Sequence, residues 1–178
     1  MLRKIKGLIV ASLLLSLGFC AQAQSLDDYE QTQDQIHTIY LYNFSRYFVW
    51  PTVIQQEFII GVMGEHSILK ELNKMASTRT VGGNPIKIRN YQNPQEIEDG
   101  CHVVFIPHEN SYWLSEVLST TDNQPVLVVS CKPGLGQFGS LLNFVADRGK
   151  ITFEINEEAI QSRRLKFAQQ LKAIGITL

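Results

Sequence analysis

Gly134, Gly136 and Gly139 stand in the order G-x-G-x-x-G directly behind the apolar run PVLVVSC. With this spacing a dinucleotide-binding unit turns sharply from a strand and lays a pyrophosphate on the N-terminus of the next helix. Such a unit needs a long helix after the glycines, yet only nine residues separate Gly139 from Gly149. The residues LLNFVADRGKITFEIN are two apolar runs joined by Asp147-Arg148-Gly149-Lys150, the pattern of a β-hairpin. The glycines therefore read as a connection between strands, and no cofactor is expected.

Other chemistry-bearing residues are scattered. Ser140 sits in F-G-S-L-L instead of a G-x-S-x-G elbow, so nothing marks it as a nucleophile. His102 and His108 flank a short apolar run; along an extended strand they lie ~20 Å apart, too far to share a metal ion. His37 and His66 are isolated, and Cys101 and His102, being neighbours, point to opposite faces of a strand. No C-x-x-C or H-x-x-x-H spacing occurs, so neither metal ligands nor catalytic residues are assigned. The cluster Arg163, Arg164 and Lys166 reads as a solvated helix face, with Arg163 and Arg164 as candidates for an anionic ligand or acidic partner. His108, with Pro107, and Lys132, which opens the segment to Gly139, are candidates for lining a crevice at the carboxyl ends of a sheet.

The elements that must position these residues alternate. Residues 27–48 carry Ile36, Ile39, Tyr40, Phe44, Tyr47 and Phe48 at helical spacing, and Trp50-Pro51 stops the helix. Its aromatic end, YLYNFSRYFVWP, is richer than a packed helix requires and is a candidate protein-binding surface. Then follow EFIIGVMG as a strand, SILKELNKM as a helix, PIKIRNY as a strand, NPQEIED as a short helix, CHVVFIP as a buried strand, YWLSEVLS as a helix and PVLVVSC as a fourth strand. After the hairpin, Asn156 is a helix N-cap with Glu157 and Glu158 in the first turn, opening a closing amphipathic helix to Gly175. The expected fold is three-layer α/β, a mostly parallel sheet flanked by helices, with a C-terminal β-hairpin and closing helix.

The N-terminus has the three-part layout of a secretory signal: Arg3, Lys4 and Lys6, an apolar run from Leu8 to Phe19, then Ala21-Gln22-Ala23. Cleavage between Ala23 and Gln24 assigns 1–23 to a signal peptide and leaves 24–178 as a single domain in the periplasm. Lipid attachment at Cys20 is the rival processing route, disfavoured by the bulky Phe19, and an uncleaved N-terminal anchor is a third. Loss of the three leader cations moves the formal net charge from -1 to -4. That surface argues against a nucleic-acid partner. Cys101 opens one strand and Cys131 closes another, so in neighbouring parallel strands they stand roughly 15 Å or more apart and cannot bridge. Only antiparallel pairing would bring them together.

YLYNFSRYFVWP, FIIGVMGE, GCHVVFIP, QPVLVVSCKPGLGQFGSLLNF and GKITFEINEEAIQSRRLKFAQQL resemble, in this order, the successive blocks of the YfiR-like family of periplasmic regulators. Trp50, Pro51, Cys101, Phe138, Gly139, Asn143, Phe153, Glu154 and Asn156 fall on its motif positions, with no role assigned. The resemblance implies a small, non-enzymatic α/β protein, often a homodimer, that restrains a membrane-anchored diguanylate cyclase. Release, under envelope or redox stress or through an outer-membrane lipoprotein, raises cyclic-di-GMP and favours biofilm. Related domains fused to sensor kinases make a sensor module acting with a histidine kinase, or binding a small molecule, the alternative. Family members often carry a cysteine in the strand matching FIIGVMG, able to pair with the one opening GCHVVFIP. Gly61 stands in that strand here, so Cys101 lacks the partner that redox control by this bridge requires.

Overall fold

The computed structural model describes residues 29–51 and 56–178. The leader, with Cys20 and the Ala23-Gln24 junction, lies outside the described residues. Helix α1 covers residues 29–47. Its buried stripe is Asp34, His37, Thr38, Leu41, Phe44 and Ser45, at helical spacing. That stripe is rotated from the one the apolar residues alone define, since Ile39 is 60% exposed. The difference arises because four polar side chains, Asp34, His37, Thr38 and Ser45, take inward positions.

The helix runs into β1 (Phe48–Val49). Beyond it, β2 (Phe58–Met63), β4 (Asn84–Tyr91), β5 (Cys101–Ile106), β6 (Leu127–Ser130) and β7 (Leu142–Asp147) pair in parallel. β8 (Lys150–Ile155) runs antiparallel to β7, while β3 (Thr80–Val81) and β10 (Ile176–Thr177) form the two edges. The order is β10-β8-β7-β6-β5-β2-β4-β3. Because the chain goes from β2 to β4 on one side and then to β5 on the other, a topological switch point opens between the carboxyl ends of β2 and β5. Every residue of β5 and β6 is buried, as strands covered on both faces require.

On one face α1 lies beside α2 (Ile68–Ala76) across a groove. On the other, α3 (Leu114–Thr120) touches the 3-10 turn Pro94–Glu96. The hairpin forms as the sequence predicts: β7 and β8 pair from Leu142↔Ile155 to Asp147↔Lys150, and Arg148 and Gly149 make the two-residue turn with φ of 49° and 77°. No helix opens after the glycines; the segment closes on Gly139, at φ 100°, where the Ser140 N–H reaches the Leu135 carbonyl. A side chain on Gly139 would be strained and would press Leu118 at 3.1 Å.

The closing helix is shorter than expected. Asn156 caps α4 (Glu157–Ser162), its side-chain oxygen accepting from the Ala159 N–H at 2.9 Å. Arg164 then adopts a left-handed φ of 59°, with Leu165 N–H bonded to the Ile160 carbonyl and Arg164 N–H to that of Gln161. This Schellman ending stops the helix. The chain continues as β9 (Lys166–Phe167), antiparallel to β1 with Phe167 opposite Phe48, and a 3-10 turn at Gln169–Leu171. Tertiary pairing of the two phenylalanines, 5.6 Å between ring centroids, overrides the helical pattern.

Candidate functional site

At the switch point lies a crevice of about 660 Å³. The start of α1 contributes Glu30, Asp34 and His37; the turn after β2 gives His66 and Ser67; the end of β5 gives His108 and Glu109; and Cys131 follows β6. Asp34 is buried and accepts a 2.5 Å hydrogen bond from the Ser67 hydroxyl. Its other oxygen is 3.7 Å from Nδ1 of His66. That nitrogen accepts from the Ile68 N–H at 3.1 Å, and Nε2 lies 3.8 Å from a Glu109 carboxylate oxygen. The turn after β2 is thereby pinned to α1.

His37 lies against Phe144, with ring centroids 4.4 Å apart. Burial, assisted by nearby His66, pushes its pKa down to about 4, so it is neutral at physiological pH. Burial, with Glu109 and Asp34 adding to it, pushes the Cys131 thiol up to about 12. A thiol that resists ionisation is a poor nucleophile. Ser67 donates to a carboxylate and has no histidine as its base. Among the described residues no three His, Cys, Asp or Glu side chains are grouped to hold a metal ion. The arrangement suits hydrogen bonding to a small polar or cationic guest, or latching α1 onto the sheet.

The motif residues of the hairpin form a separate polar clamp. Asn143, fully buried, donates to Glu154 at 2.8 Å across the β7–β8 pair, and its amide oxygen meets Ser130 at 2.7 Å. Asn156 also donates to the Gly136 carbonyl at 2.9 Å, fastening the glycine segment. Phe153 is buried core, whereas Phe138 is 76% exposed.

A family model described as YfiR/HmsC-like matches residues 34–175. The chain belongs to the YfiR/HmsC-like family. Members are periplasmic regulators of diguanylate cyclases rather than enzymes. No curated protein matches the chain. The match spans α1 through the last 3-10 turn, so the YfiR/HmsC-like fold includes both the crevice and the clamp.

In this YfiR/HmsC-like chain, Trp50 packs edge-on against Phe58 at 5.0 Å and against His102 at 5.9 Å, with Pro51 exposed beside it. A register shift between Ile59 and Ile60 lets His102 stack on Phe58 and accept the Ile59 N–H through Nδ1 at 3.1 Å. Cys101 is buried on the opposite side, its thiol held up to about 12 by burial despite the neighbouring Tyr91 hydroxyl and Gly61 amide. Cys101 and Cys131 are both free, and the pairing of Ile106 with Ser130 puts them at opposite ends of adjacent parallel strands.

Of the expected ligand-surface residues, His108 reaches the crevice, while Lys132 is exposed but does not line it. Arg163 requires a correction. It is buried, and its guanidinium donates to the Leu118 carbonyl at 2.7 Å and to the Thr121 carbonyl and hydroxyl, closing the C-terminus of α3. Only Arg164 and Lys166 of that cluster face solvent. Sequence reasoning missed Asp34, His37, His66, Ser67 and Glu109 as one site, since they come from three separated segments. Their one signal was polarity within the inward spacing of α1.

Proposed function

We propose that this chain binds the periplasmic region of a membrane-anchored diguanylate cyclase and holds its activity down, acting without catalysis of its own. The family match over 34–175 carries this reading, because it covers most of the described elements and not one segment. Exposed Tyr47 and Val49, where α1 passes into β1, supply apolar contact area of the kind that anchors protein interfaces. An outer-membrane lipoprotein that captures the regulator, and a homodimeric resting form, fit the same scheme. In-cell crosslinking of the exported, tagged chain followed by identification of envelope partners tests it. Recovery of a cyclase supports the proposal; recovery of no membrane signalling protein counts against it.

A second reading is favoured by the crevice itself. Its position at the switch point and its lining by Asp34, His37, His66 and Glu109 fit a sensor module that takes a small polar ligand and works with a histidine kinase. Native mass spectrometry of protein from the exported compartment separates the two. A stoichiometric bound molecule, lost on Asp34→Asn, supports the sensor.

A further inference from the structure

A second groove, about 620 Å³, runs between α1 and α2 on the sheet face away from α3, and shares no lining residue with the crevice. Arg46 and Arg79 come from different elements yet approach the same ring, their guanidinium carbons 5.6 and 5.8 Å from the centroid of Tyr42. Lys74 adds a third cation, and Glu71 is the one carboxylate in the lining. Among the described residues none of these three cations is in an ion pair, although the protein's net charge is negative. The same groove also has apolar lining in Met75 and Ile39, the latter 60% exposed. Thr38, buried and lining the same groove, has a hydroxyl without any hydrogen-bond partner. Buried hydroxyls are normally satisfied, and this one lies beside a cationic cleft.

We propose that the α1–α2 groove binds a small amphipathic organic anion, its acidic head between Arg46 and Arg79 and its aromatic or aliphatic body on Ile39, Met75 and the Tyr42 ring. Two guanidinia supply planar donor forks suited to a carboxylate or phosphate oxygen pair. The volume is that of a small-molecule site.

The test compares three probes of one shape, 4-phenylbutyrate, 4-phenylbutanol and 4-phenylbutylamine, titrated calorimetrically into the exported protein in low-salt buffer. The carboxylate binds saturably at one site, about tenfold or more tighter than the alcohol, and the amine does not bind. Arg46→Gln and Arg79→Gln each weaken the carboxylate roughly tenfold without moving the melting temperature. Thr38→Val weakens binding while leaving stability equal or higher, a combination that a purely structural threonine would not give. Absence of saturable carboxylate binding, equal binding of the amine, or unchanged affinity in both arginine variants overturns the proposal. The reading of the chain as a cyclase regulator is unaffected by any of these results.

Discussion

The ring of Tyr91 fills the space in front of Gly61: a Cβ there would stand 2.2 Å from Cε2 of the tyrosine. β4 thus supplies across the sheet the side chain that β2 omits. Gly61→Ala must displace the ring and is expected to cost about 1–3 kcal/mol as overpacking. Urea denaturation of Gly61→Ala, Tyr91→Ala and the double variant checks it. The double variant should lose less than the sum of the singles; simple additivity would contradict the contact.

Cys101 is buried and Cys131 half-buried, and both thiols resist ionisation. With both pKa values near 12, neither Cys101 nor Cys131 reacts appreciably with a disulfide reagent at pH 8 until the protein unfolds. Reducing agent leaves the melting temperature unchanged. Non-reducing peptide mapping that finds Cys101 bonded to Cys131 within one chain would contradict the parallel pairing of β5 and β6.

His37 makes stability depend on pH. Its folded-state pKa, about 4, lies below the unfolded value of 6.5, so the unfolded chain takes up a proton that the folded chain refuses. The resulting stability is complete above pH 6.5 and falls as pH drops toward 4, by on the order of 3 kcal/mol. His102 acts in the same direction, because burial lowers its pKa, and its protonation would also end acceptance from the Ile59 N–H. Denaturation curves from pH 7.5 to 4.5 should show the loss, and His37→Leu should flatten it.

Arg163 and Arg164 should respond oppositely. Arg163→Ala removes charged hydrogen bonds from the end of α3 and is expected to cost about 2–3 kcal/mol. Arg164→Gly relieves a left-handed non-glycine residue and is expected to stabilise by about 0.5–1 kcal/mol. Thermal melts of both variants decide it; a stabilised Arg163→Ala would contradict the capping role.

Local signals account for what the sequence made legible. Alternation in ITFEIN and the Asp147-Arg148-Gly149-Lys150 turn specify β8 and the hairpin, and the unbroken apolar runs specify the buried strands. α4 was readable from Asn156, but its end was not, since the left-handed position after it is held by Arg164 instead of glycine. The β1–β9 pair depends on Phe48 meeting Phe167, a contact between distant segments. The crevice was hidden for the same reason: Asp34, Ser67 and Glu109 converge only when the order of strands places β2 beside β5. His108 alone was reachable, from the general rule that ligands collect at the carboxyl ends of parallel strands.

The claim that this chain restrains a diguanylate cyclase is tested most directly by cellular cyclic-di-GMP, measured in a strain lacking the protein, in the parent, and after complementation with exported and leaderless versions. Loss of the protein should raise cyclic-di-GMP and surface attachment, and only the exported version should return both to the parental level. Unchanged cyclic-di-GMP after deletion, or restoration by the leaderless version, would contradict the account.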